Sequence, residues 1–272
     1  MPNSLSVWRP AYTWRDVLIT GASSGIGRAL AEACAAPGVT LHLSGRDVAR
    51  LEAAAEACRA RGATVLPRIL DVRDAAGMAE WIAGAGRLDL VIANAGVSAG
   101  TGGATEPNDQ VRRIFDINIG GVLNTALPAI AAMAAQSPGA DGLRGRIAVI
   151  ASIAAFVAAP GAPAYCASKS AAQRWAEAQD ASERRRGIRL HAVCPGYIRT
   201  PMTARNSFRM PFLMNVEEAA RRTLNGIARG RTRIAYPWPT YAIARLLGAL
   251  PVGWRNALFS RLPAKSAASA PD

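Results

Sequence analysis

Short apolar runs with the composition of β-strands alternate with alanine-rich helical stretches from residue 16 to about residue 235. Runs such as residues 88–93 are apolar almost without interruption, which is typical of strands in a parallel sheet covered on both faces. Regular alternation of strands and helices predicts a doubly wound α/β sheet. The predicted strands are 16–20, 39–44, 64–69, 88–93, 145–151, 188–194 and 232–235, and the predicted helices are 25–36, 47–61, 74–84, 108–136, 163–186 and 216–229.

The spacing of these elements predicts one domain. No internal repeat and no linker interrupts residues 1–272, and the alternating core covers about residues 15–235. Residues 236–262 form an apolar C-terminal extension in which arginine is the only charged residue type. Residues 263–272 are expected to be disordered.

One uncharged run, residues 147–168, is long enough to suggest a transmembrane helix. It contains Ser152, Pro160, Gly161 and Pro163, so it is better explained as a buried strand, a loop and the start of a helix. The first residues of the chain lack the apolar stretch of a signal peptide. We therefore expect a cytoplasmic protein.

The charge of the chain is strongly basic: 32 Lys and Arg against 19 Asp and Glu give a net charge of +13. Such a charge suggests a nucleic-acid or anionic-membrane partner. The one dense run, Arg184 to Arg186, ends a predicted helix, where it complements the helix dipole, and no aromatic residues accompany it. The sequence therefore favours no nucleic acid. Four dispersed cysteines indicate reduced thiols, and two histidines argue against a His-rich metal site.

A glycine-rich turn follows the first predicted strand and opens the first predicted helix. Its spacing is Gly-x-x-x-Gly-x-Gly, which differs both from Gly-x-Gly-x-x-Gly and from a P-loop. Backbone N–H groups and the positive end of the helix dipole attract a pyrophosphate at such a turn, and glycine permits close approach. The predicted pyrophosphate-binding residues are Gly21, Ser23, Ser24, Gly25, Ile26 and Gly27.

The same turn also matches Gly-x-Ser-x-Gly, the nucleophile elbow of α/β-hydrolases, through Ser23. An elbow needs earlier strands to supply its oxyanion loop, yet only twenty residues precede Gly21. The general base would have to be His191, which has the pattern of an ordinary strand residue. The hydrolase alternative is therefore disfavoured.

Arg46 follows the second predicted strand, where the choice between NAD and NADP is usually made. An acidic residue there favours NAD, whereas a basic residue favours the 2′-phosphate of NADP. Gly45 occupies the expected carboxylate position, and Asp47 is better explained as the N-cap of the next helix. The sequence predicts NADP(H) over NAD(H), with Arg46 as the phosphate ligand.

Tyr165 and Lys169 are four residues apart in a predicted helix, so they share one face. A tyrosine hydroxyl titrates near pH ~10 and is a poor base at neutral pH, but a neighbouring cation lowers its pKa. Ser152 lies thirteen residues before Tyr165, at the carboxyl end of a predicted strand, where doubly wound folds bind their ligands.

These residues together resemble the short-chain dehydrogenase/reductase family over about residues 15–235. The resemblance rests on several motifs that occur in the family's order: Thr20-Gly21-x-x-x-Gly25-Ile26-Gly27, Leu70-Asp71-Val72, Asn94-Ala95-Gly96, Asn118, Ser152, Tyr165-x-x-x-Lys169 and Pro195-Gly196. It implies a single Rossmann-type domain with seven parallel strands, NAD(P)-dependent hydride transfer at a carbonyl or secondary alcohol, and homodimers or homotetramers.

The resemblance also implies roles for individual residues. Asp71 and Val72 would lie near the adenine, and Asn94 would stabilise the central sheet. Asn118 would orient a water that passes protons to the lysine. The further cofactor contacts it implies are Ala95, Gly96, Pro195, Gly196, Ile198 and Thr200. Ala93, Ala151 and Ala155 depart from the family's common residues, and Ala155 would narrow the substrate pocket.

Hydride transfer to a carbonyl needs an acid for the developing alkoxide and a hydrogen-bond donor that polarises the carbonyl. Tyr165 fits the acid and Ser152 the donor, while Lys169 would lower the pKa of Tyr165 and hold the nicotinamide ribose. The alternative is a non-catalytic NADP-binding regulatory or scaffold protein. Members of that kind typically lack the tyrosine or the lysine, and this chain has both.

Methionine and phenylalanine residues between positions 202 and 214 suggest a flexible apolar lid and an apolar substrate. The C-terminal extension has three alternatives: packing on the pocket, an oligomer interface, or a peripheral contact with an anionic membrane. Pro237, Pro239 and Pro251 interrupt any long helix there, which favours packing on protein.

Overall fold

Seven parallel strands form one sheet in the computed structural model, which describes residues 13–206 and 208–259. The spatial order is β3-β2-β1-β4-β5-β6-β7, and the seven-stranded parallel sheet expected from the sequence is confirmed. The strands are β1 (Asp16–Ile19), β2 (Thr40–Gly45), β3 (Thr64–Ile69), β4 (Leu90–Ala93), β5 (Gly145–Ile150), β6 (Ile188–Pro195) and β7 (Arg233–Tyr236).

Helices connect the strands and continue beyond the last one. The predicted helix 163–186 ends in a short 3₁₀ helix, Arg184–Arg186, and a second 3₁₀ helix, Ile153–Phe156, follows β5. The α-helices are α1 (Gly25–Cys34), α2 (Val48–Arg59), α3 (Ala75–Ala83), α4 (Asn108–Phe115), α5 (Gly121–Ala135), α6 (Pro163–Glu183), α7 (Pro201–Ala204), α8 (Val216–Ala228), α9 (Trp238–Ala249) and α10 (Val252–Phe259).

The central strands are apolar because both faces of the sheet are covered. Successive side chains of a strand point to opposite faces. In β1, Val17 and Ile19 therefore pack into one apolar cluster with α1 and α8, whereas Leu18 packs into another with α3 and α5. All three side chains are buried, which agrees with the prediction that the strands are apolar almost without interruption.

The strand order places a crevice at the carboxyl edge of the sheet. β1 pairs with β2 on one side and with β4 on the other, so the chain changes direction across the sheet at β1 and β4. Open α/β sheets bind their ligands in the crevice at this switch point. The glycine-rich turn after β1 and the Asn94-Ala95-Gly96 segment after β4 meet there.

One helix among the described residues, Asn108–Ala135, is long and apolar enough to span a membrane by length and composition. It comprises α4, a π-helical turn and α5. Half of its most apolar window is buried inside the protein, and α5 contributes Ala126, Ala129 and Met133 to the core beside the sheet. A helix that is buried in the core of a protein meets the same criteria of length and composition. The uncharged run at 147–168 is not one helix: it contains β5, a 3₁₀ helix and the start of α6.

The C-terminal extension begins with a helix that packs on the sheet's edge. The rings of Phe156 and Tyr241 meet edge to face with centroids 5.1 Å apart, and Arg233 at β7 lies over Phe156. Pro237 immediately precedes α9, and Pro251 separates α9 from α10, so the prolines interrupt the extension as the sequence predicts. The predicted disordered tail, 263–272, lies outside the described residues.

Candidate active site

A cavity of about 580 Å³ opens at the carboxyl edge of the sheet, beside the switch point. It brings together seventeen of the eighteen residues predicted to bind the cofactor, and it adds Ser152 from the catalytic set. Gly27 and Asn118 do not line it. The predicted residues that line it are Gly21, Ser23, Ser24, Gly25, Ile26, Arg46, Asp71, Val72, Asn94, Ala95, Gly96, Ser152, Tyr165, Lys169, Pro195, Gly196, Ile198 and Thr200.

The glycine-rich turn at one end of the cavity has the geometry of an anion cradle. Gly21 and Gly25 adopt φ values of +65° and +56°, which other residues rarely adopt. A Cβ at Gly21 would lie 2.9 Å from the Cα of Ala95, and one at Gly25 would lie 3.2 Å from the Thr200 side chain. α1 begins at Gly25, and Ser24 caps it without a side-chain hydrogen bond. The turn therefore fits the pyrophosphate of a dinucleotide.

Gly27 acts behind the cradle rather than in it. A Cβ at this position would overlap the carbonyl oxygen of Gly21 and the side chain of Asn94. Asn94 Nδ2 donates to the carbonyl oxygens of Thr20 (2.9 Å) and Gly21 (3.1 Å), and Thr20 Oγ1 accepts from the N–H groups of Asn94 and Ala95. Gly27 thus lets α1 approach the hydrogen bonds by which Asn94 connects β1 to β4. The family resemblance implied this role in the central sheet for Asn94.

Arg46 is exposed at the mouth of the cavity, next to the adenosine side expected from Asp71 and Val72. Asp47 caps α2: its carboxylate accepts from the N–H of Arg50 and from Arg50 Nε, both at 2.8 Å. Asp71 binds the guanidinium of Arg73, which lowers the pKa of that carboxyl, and Arg46 lowers it further. Arg46 therefore lies close enough to Asp71 to lower the pKa of its carboxyl. Asp47 is engaged as the cap of α2.

Tyr165, Lys169 and Ser152 line the same cavity as the cradle. Tyr165 and Lys169 lie one turn apart on α6, as the spacing predicts. Lys169 Nζ donates to the carbonyl oxygen of Ile150 at 2.8 Å, at the end of β5. Ser152 Oγ accepts from the N–H of Ala154 at 3.1 Å and also hydrogen-bonds Tyr165. A phenol, an ammonium and a hydroxyl therefore share one corner of the cavity.

The net shift in the pKa of Tyr165 is upward in this structure, the opposite of the direction that the sequence predicts from Lys169. Burial raises the pKa of Tyr165 above its ordinary value of 10.0, and hydrogen bonds from Ser152 and Ser98 only partly offset that rise. Burial likewise lowers the pKa of Lys169 to about 8. The cause is the dry environment of α6, which disfavours both charged forms, and the ammonium is engaged with a backbone carbonyl.

Asn118 lies outside the cavity and is connected to it through hydrogen bonds. It sits in the π-helical turn Asp116–Gly120, fully buried, and such turns are frequent at functional sites. Its Oδ1 accepts from the N–H of Val97 at 2.9 Å, and its Nδ2 donates to Ser168 Oγ at 3.1 Å. Gly96 leaves room between Asn118 and Lys169 because it lacks a side chain. A Cβ on Gly96 would lie 3.1 Å from Asn118 Oδ1 and 3.2 Å from Lys169 Nζ.

Sequence reasoning missed residues that support α6. Glu106 Oε2 accepts from the N–H of Ala164 at 3.1 Å, in the first turn of α6, whose N-cap Ala162 offers no side-chain acceptor. Gln110 donates to Glu106 and to the carbonyl of Gly100. The absence of a capping residue before Pro163 was the available signal, but nothing local identifies a carboxylate 58 positions away.

His191 has no place in this site. Its ring is fully buried in β6, Nδ1 lies 2.7 Å from the carbonyl oxygen of Arg231, and burial lowers its pKa to about 4. It does not line the cavity that contains Ser23. The hydrolase alternative therefore lacks its general base.

The segment after β6 closes one side of the cavity. Thr200 caps the short helix α7 in a capping box with Thr203, and Ile198 bridges to Met214. Met202 lines the cavity with 39% of its surface exposed, and Phe212 is 54% exposed. Met202 therefore gives the cavity a partly exposed apolar side chain, whereas Phe212 is exposed but does not line the cavity. Ser207 lies outside the described residues.

Comparisons with known proteins agree with this geometry. Residues 15–209 match the short chain dehydrogenase family. A protein of Myxococcus xanthus (strain DK1622) named "uncharacterized oxidoreductase" is 36% identical over 246 residues, which cover 88% of this chain and 94% of the relative. The structure of a short-chain dehydrogenase from Sphingobium yanoikuyae in complex with NADPH superposes with a TM-score of 0.76 at 27% identity, covering 93% and 98% of the two chains.

A short chain dehydrogenase from Mycobacterium paratuberculosis bound to NAD superposes with a TM-score of 0.71 at 24% identity, covering 84% of this chain and 98% of its own. At that identity the likeness concerns the fold alone. Structures with this fold therefore contain either dinucleotide.

Proposed function

Because this chain belongs to the short-chain dehydrogenase family, we propose that it is an oxidoreductase that transfers a hydride between NADP(H) and a carbonyl or secondary alcohol. The observation that carries the proposal is the shared cavity, which is lined both by the glycine cradle and by Tyr165, Ser152 and Lys169. A non-catalytic member has no need for that convergence.

The nicotinamide of a bound dinucleotide would supply or accept the hydride. In the reductive direction, Tyr165 gives its hydroxyl proton to the substrate oxygen as negative charge develops there. Ser152 donates a hydrogen bond to the same oxygen and holds it against Tyr165. Lys169 holds the nicotinamide ribose through its ammonium. Asn118, fixed by Val97 and Ser168, faces Lys169 across Gly96 and supports proton return from solvent.

The pKa directions agree with Tyr165 as an acid. A phenol whose pKa is raised by burial stays protonated at neutral pH and has a proton to donate. A bound dinucleotide and substrate change its surroundings, and the ammonium of Lys169 then stabilises the phenolate that remains after transfer. Since burial lowers the pKa of Lys169 to about 8, that ammonium is present at pH 7 and is lost as the pH rises above 8.

Turnover separates the enzyme from a non-catalytic binding protein. We expect the purified chain to oxidise NADPH, followed by its nicotinamide absorbance, with members of a ketone panel of increasing chain length. The apolar side chain of Met202, which lines the cavity and is partly exposed, supports larger apolar ketones as the better substrates. Binding of NADPH without turnover on any ketone, or on the matching alcohols with NADP, would favour the non-catalytic alternative.

Arg46 supports NADP(H) as the preferred dinucleotide. It is exposed beside the adenosine end of the cavity, whereas the neighbouring Asp47 is engaged with Arg50 and cannot readily bind a ribose diol. The NADPH complex of the Sphingobium yanoikuyae protein, at 27% identity, supports the same choice.

Replacing Arg46 with Asp is expected to reverse the cofactor preference. The loss of a charged hydrogen bond to the 2′-phosphate should lower kcat/KM for NADPH about 10- to 100-fold, while kcat/KM for NADH stays the same or rises. The measurement is the ratio of the two values. Arg185→Asp, at an exposed arginine beyond the end of α6, is the matched charge-reversal control and should leave the ratio unchanged. An unaltered ratio in the Arg46 variant would reject Arg46 as the phosphate ligand.

The assembly and location of the protein are proposed on the same basis. The family likeness supports a homodimer or homotetramer. All four cysteines are buried and none forms a disulfide, which supports a reducing compartment such as the cytoplasm.

A further inference from the structure

The last two helices carry an exposed apolar surface, called here the C-terminal patch. It holds six of the thirteen large apolar side chains that are exposed among the described residues, in a segment of 21 positions. Both tryptophans of the patch are more than 70% exposed. A concentration of exposed large apolar side chains in one segment indicates an interaction site. The patch comprises Trp238, Ile243, Leu246, Val252, Trp254 and Leu258.

In α9, the apolar side chains divide into an inward and an outward face. Ala244 is buried, and a Cβ at Gly248, one turn later, would overlap the carbonyl oxygen of Phe156. Ile243 and Leu246 are 50% and 71% exposed, and their spacing of three residues places them together on another face. α9 therefore packs on the 3₁₀ helix after Ser152 through Tyr241 and small residues, and it turns Ile243 and Leu246 outward.

In α10, almost nothing is buried. Every residue from 251 to 258 is exposed except Arg255, which is half-buried. A helix of eight residues is marginal in water without packing of an apolar face. Trp254 and Leu258 lie one turn apart and share a face. The sequence favoured packing of the C-terminal extension on protein. One face of α9 packs in this way, but α10 does not. In the single chain, α10 therefore has no apolar surface against which to pack.

The charge of this segment indicates which kind of surface covers the C-terminal patch. Between residues 234 and 271 the sequence has four basic residues and no acidic one, in a chain of net charge +13. Tryptophan beside arginine on a short exposed helix suits the boundary between lipid headgroups and acyl chains. We propose that α9 and α10 dock on an anionic lipid surface, with the C-terminal patch in the acyl boundary and Arg245 and Arg255 among the headgroups.

A second copy of the chain fits this patch less well. A symmetric contact would place Arg245 and Arg255 near their own equivalents, and no carboxylate from residues 234–271 is available to pair with them. An anionic lipid surface, by contrast, attracts both arginines.

Co-sedimentation with vesicles tests the proposal on the full-length chain. We expect binding to equimolar phosphatidylglycerol and phosphatidylcholine, weak binding to phosphatidylcholine alone, and release by salt. The triple variant W238S/L246S/W254S should lose at least about 100-fold in affinity, because three large apolar side chains no longer enter the acyl boundary. R245Q/R255Q should lose about fivefold per arginine on the anionic vesicles only.

The matched control is V48S/L66S/L127S, which removes three exposed apolar side chains elsewhere and should bind like the unaltered chain. NADPH oxidation in solution should be the same in all of these variants, so a failure of the proposed enzyme function stays distinguishable. Equal binding by W238S/L246S/W254S, or no binding by the unaltered chain, would overturn the proposal. So would a dimer, seen by light scattering, that only W238S/L246S/W254S converts to a monomer, since a second copy would then cover the patch.

Discussion

The Tyr165→Phe variant is expected to lose about 100- to 10,000-fold in kcat, the range that removal of a positioned acid or base produces. The substitution keeps the ring on α6 and removes only the hydroxyl that would protonate the substrate oxygen. Ser152 and Ser98, which hydrogen-bond the phenol, then lose their partner, but the glycine cradle and Arg46 are untouched. The dissociation constant of NADPH, measured by quenching of protein fluorescence, should change little.

Tyr241→Phe is the matched control for this loss. Tyr241 also offers a phenol oxygen, which accepts from Arg233 Nη1 at 3.0 Å, and it lies outside the cavity. Its variant should keep the unaltered turnover. A Tyr165→Phe protein that still turns over at the unaltered rate would contradict the assignment of Tyr165 as the acid, whereas loss of both turnover and NADPH binding would indicate a disturbed fold instead.

The sheet could be predicted because its signals are local. Each buried strand is a short apolar run that ends in glycine, proline or polar residues, and each crossover helix has its own apolar face. The features that could not be predicted depend on contacts between residues that are far apart in the sequence. The π-helical turn at Asp116–Gly120 departs from the α-helix without any proline, and it is held by side-chain contacts of Asn118 with Val97, 21 positions earlier.

The positions of the site residues could be predicted, but their electrostatics could not. Motif order placed Tyr165, Lys169 and Ser152 together, and they line one cavity. The direction of the pKa of Tyr165 depends on how dry its surroundings are, which only tertiary packing decides. The cap that Glu106 gives to α6 likewise joins residues 58 positions apart. Spacing along one helix carries no information about either.

Asp180→Ala is expected to produce a large loss of stability, about 3–5 kcal/mol of unfolding free energy, because it breaks a buried charge network. The side chain of Asp180, on α6, is 1% exposed. Its carboxylate accepts from Arg189 Nε at 2.8 Å, Arg184 Nη2 at 2.6 Å, Thr232 Oγ1 at 2.7 Å and the N–H of Leu190 at 2.9 Å. It therefore joins α6 to β6 and to the start of β7. Urea unfolding with linear extrapolation measures the loss.

Glu218→Ala is the matched control for burial. Glu218 also binds two arginines, Arg221 and Arg222, but its side chain is 32% exposed and the arginines are more so. Exposed pairs contribute little, so this variant should lose about 1 kcal/mol or less. Asp180→Asn keeps the shape of the side chain and removes its charge. Its loss of unfolding free energy should lie between those of Asp180→Ala and Glu218→Ala. An Asp180→Ala loss no larger than that of Glu218→Ala would contradict the role of the buried network.

The pH dependence separates the charge of Asp180 from its shape. The arginines and Thr232 hold the pKa of Asp180 well below its ordinary value of 3.8, despite burial that acts in the other direction. A carboxyl with a lowered folded-state pKa stabilises the protein above its unfolded-state pKa, and that contribution is lost as the pH falls through the folded-state pKa. The stability difference between the unaltered chain and Asp180→Asn should therefore stay constant from neutral pH down to about pH 5, and it should shrink only below about pH 4. A difference that disappears already between pH 7 and pH 5 would show that a group other than the Asp180 carboxylate provides the stabilisation.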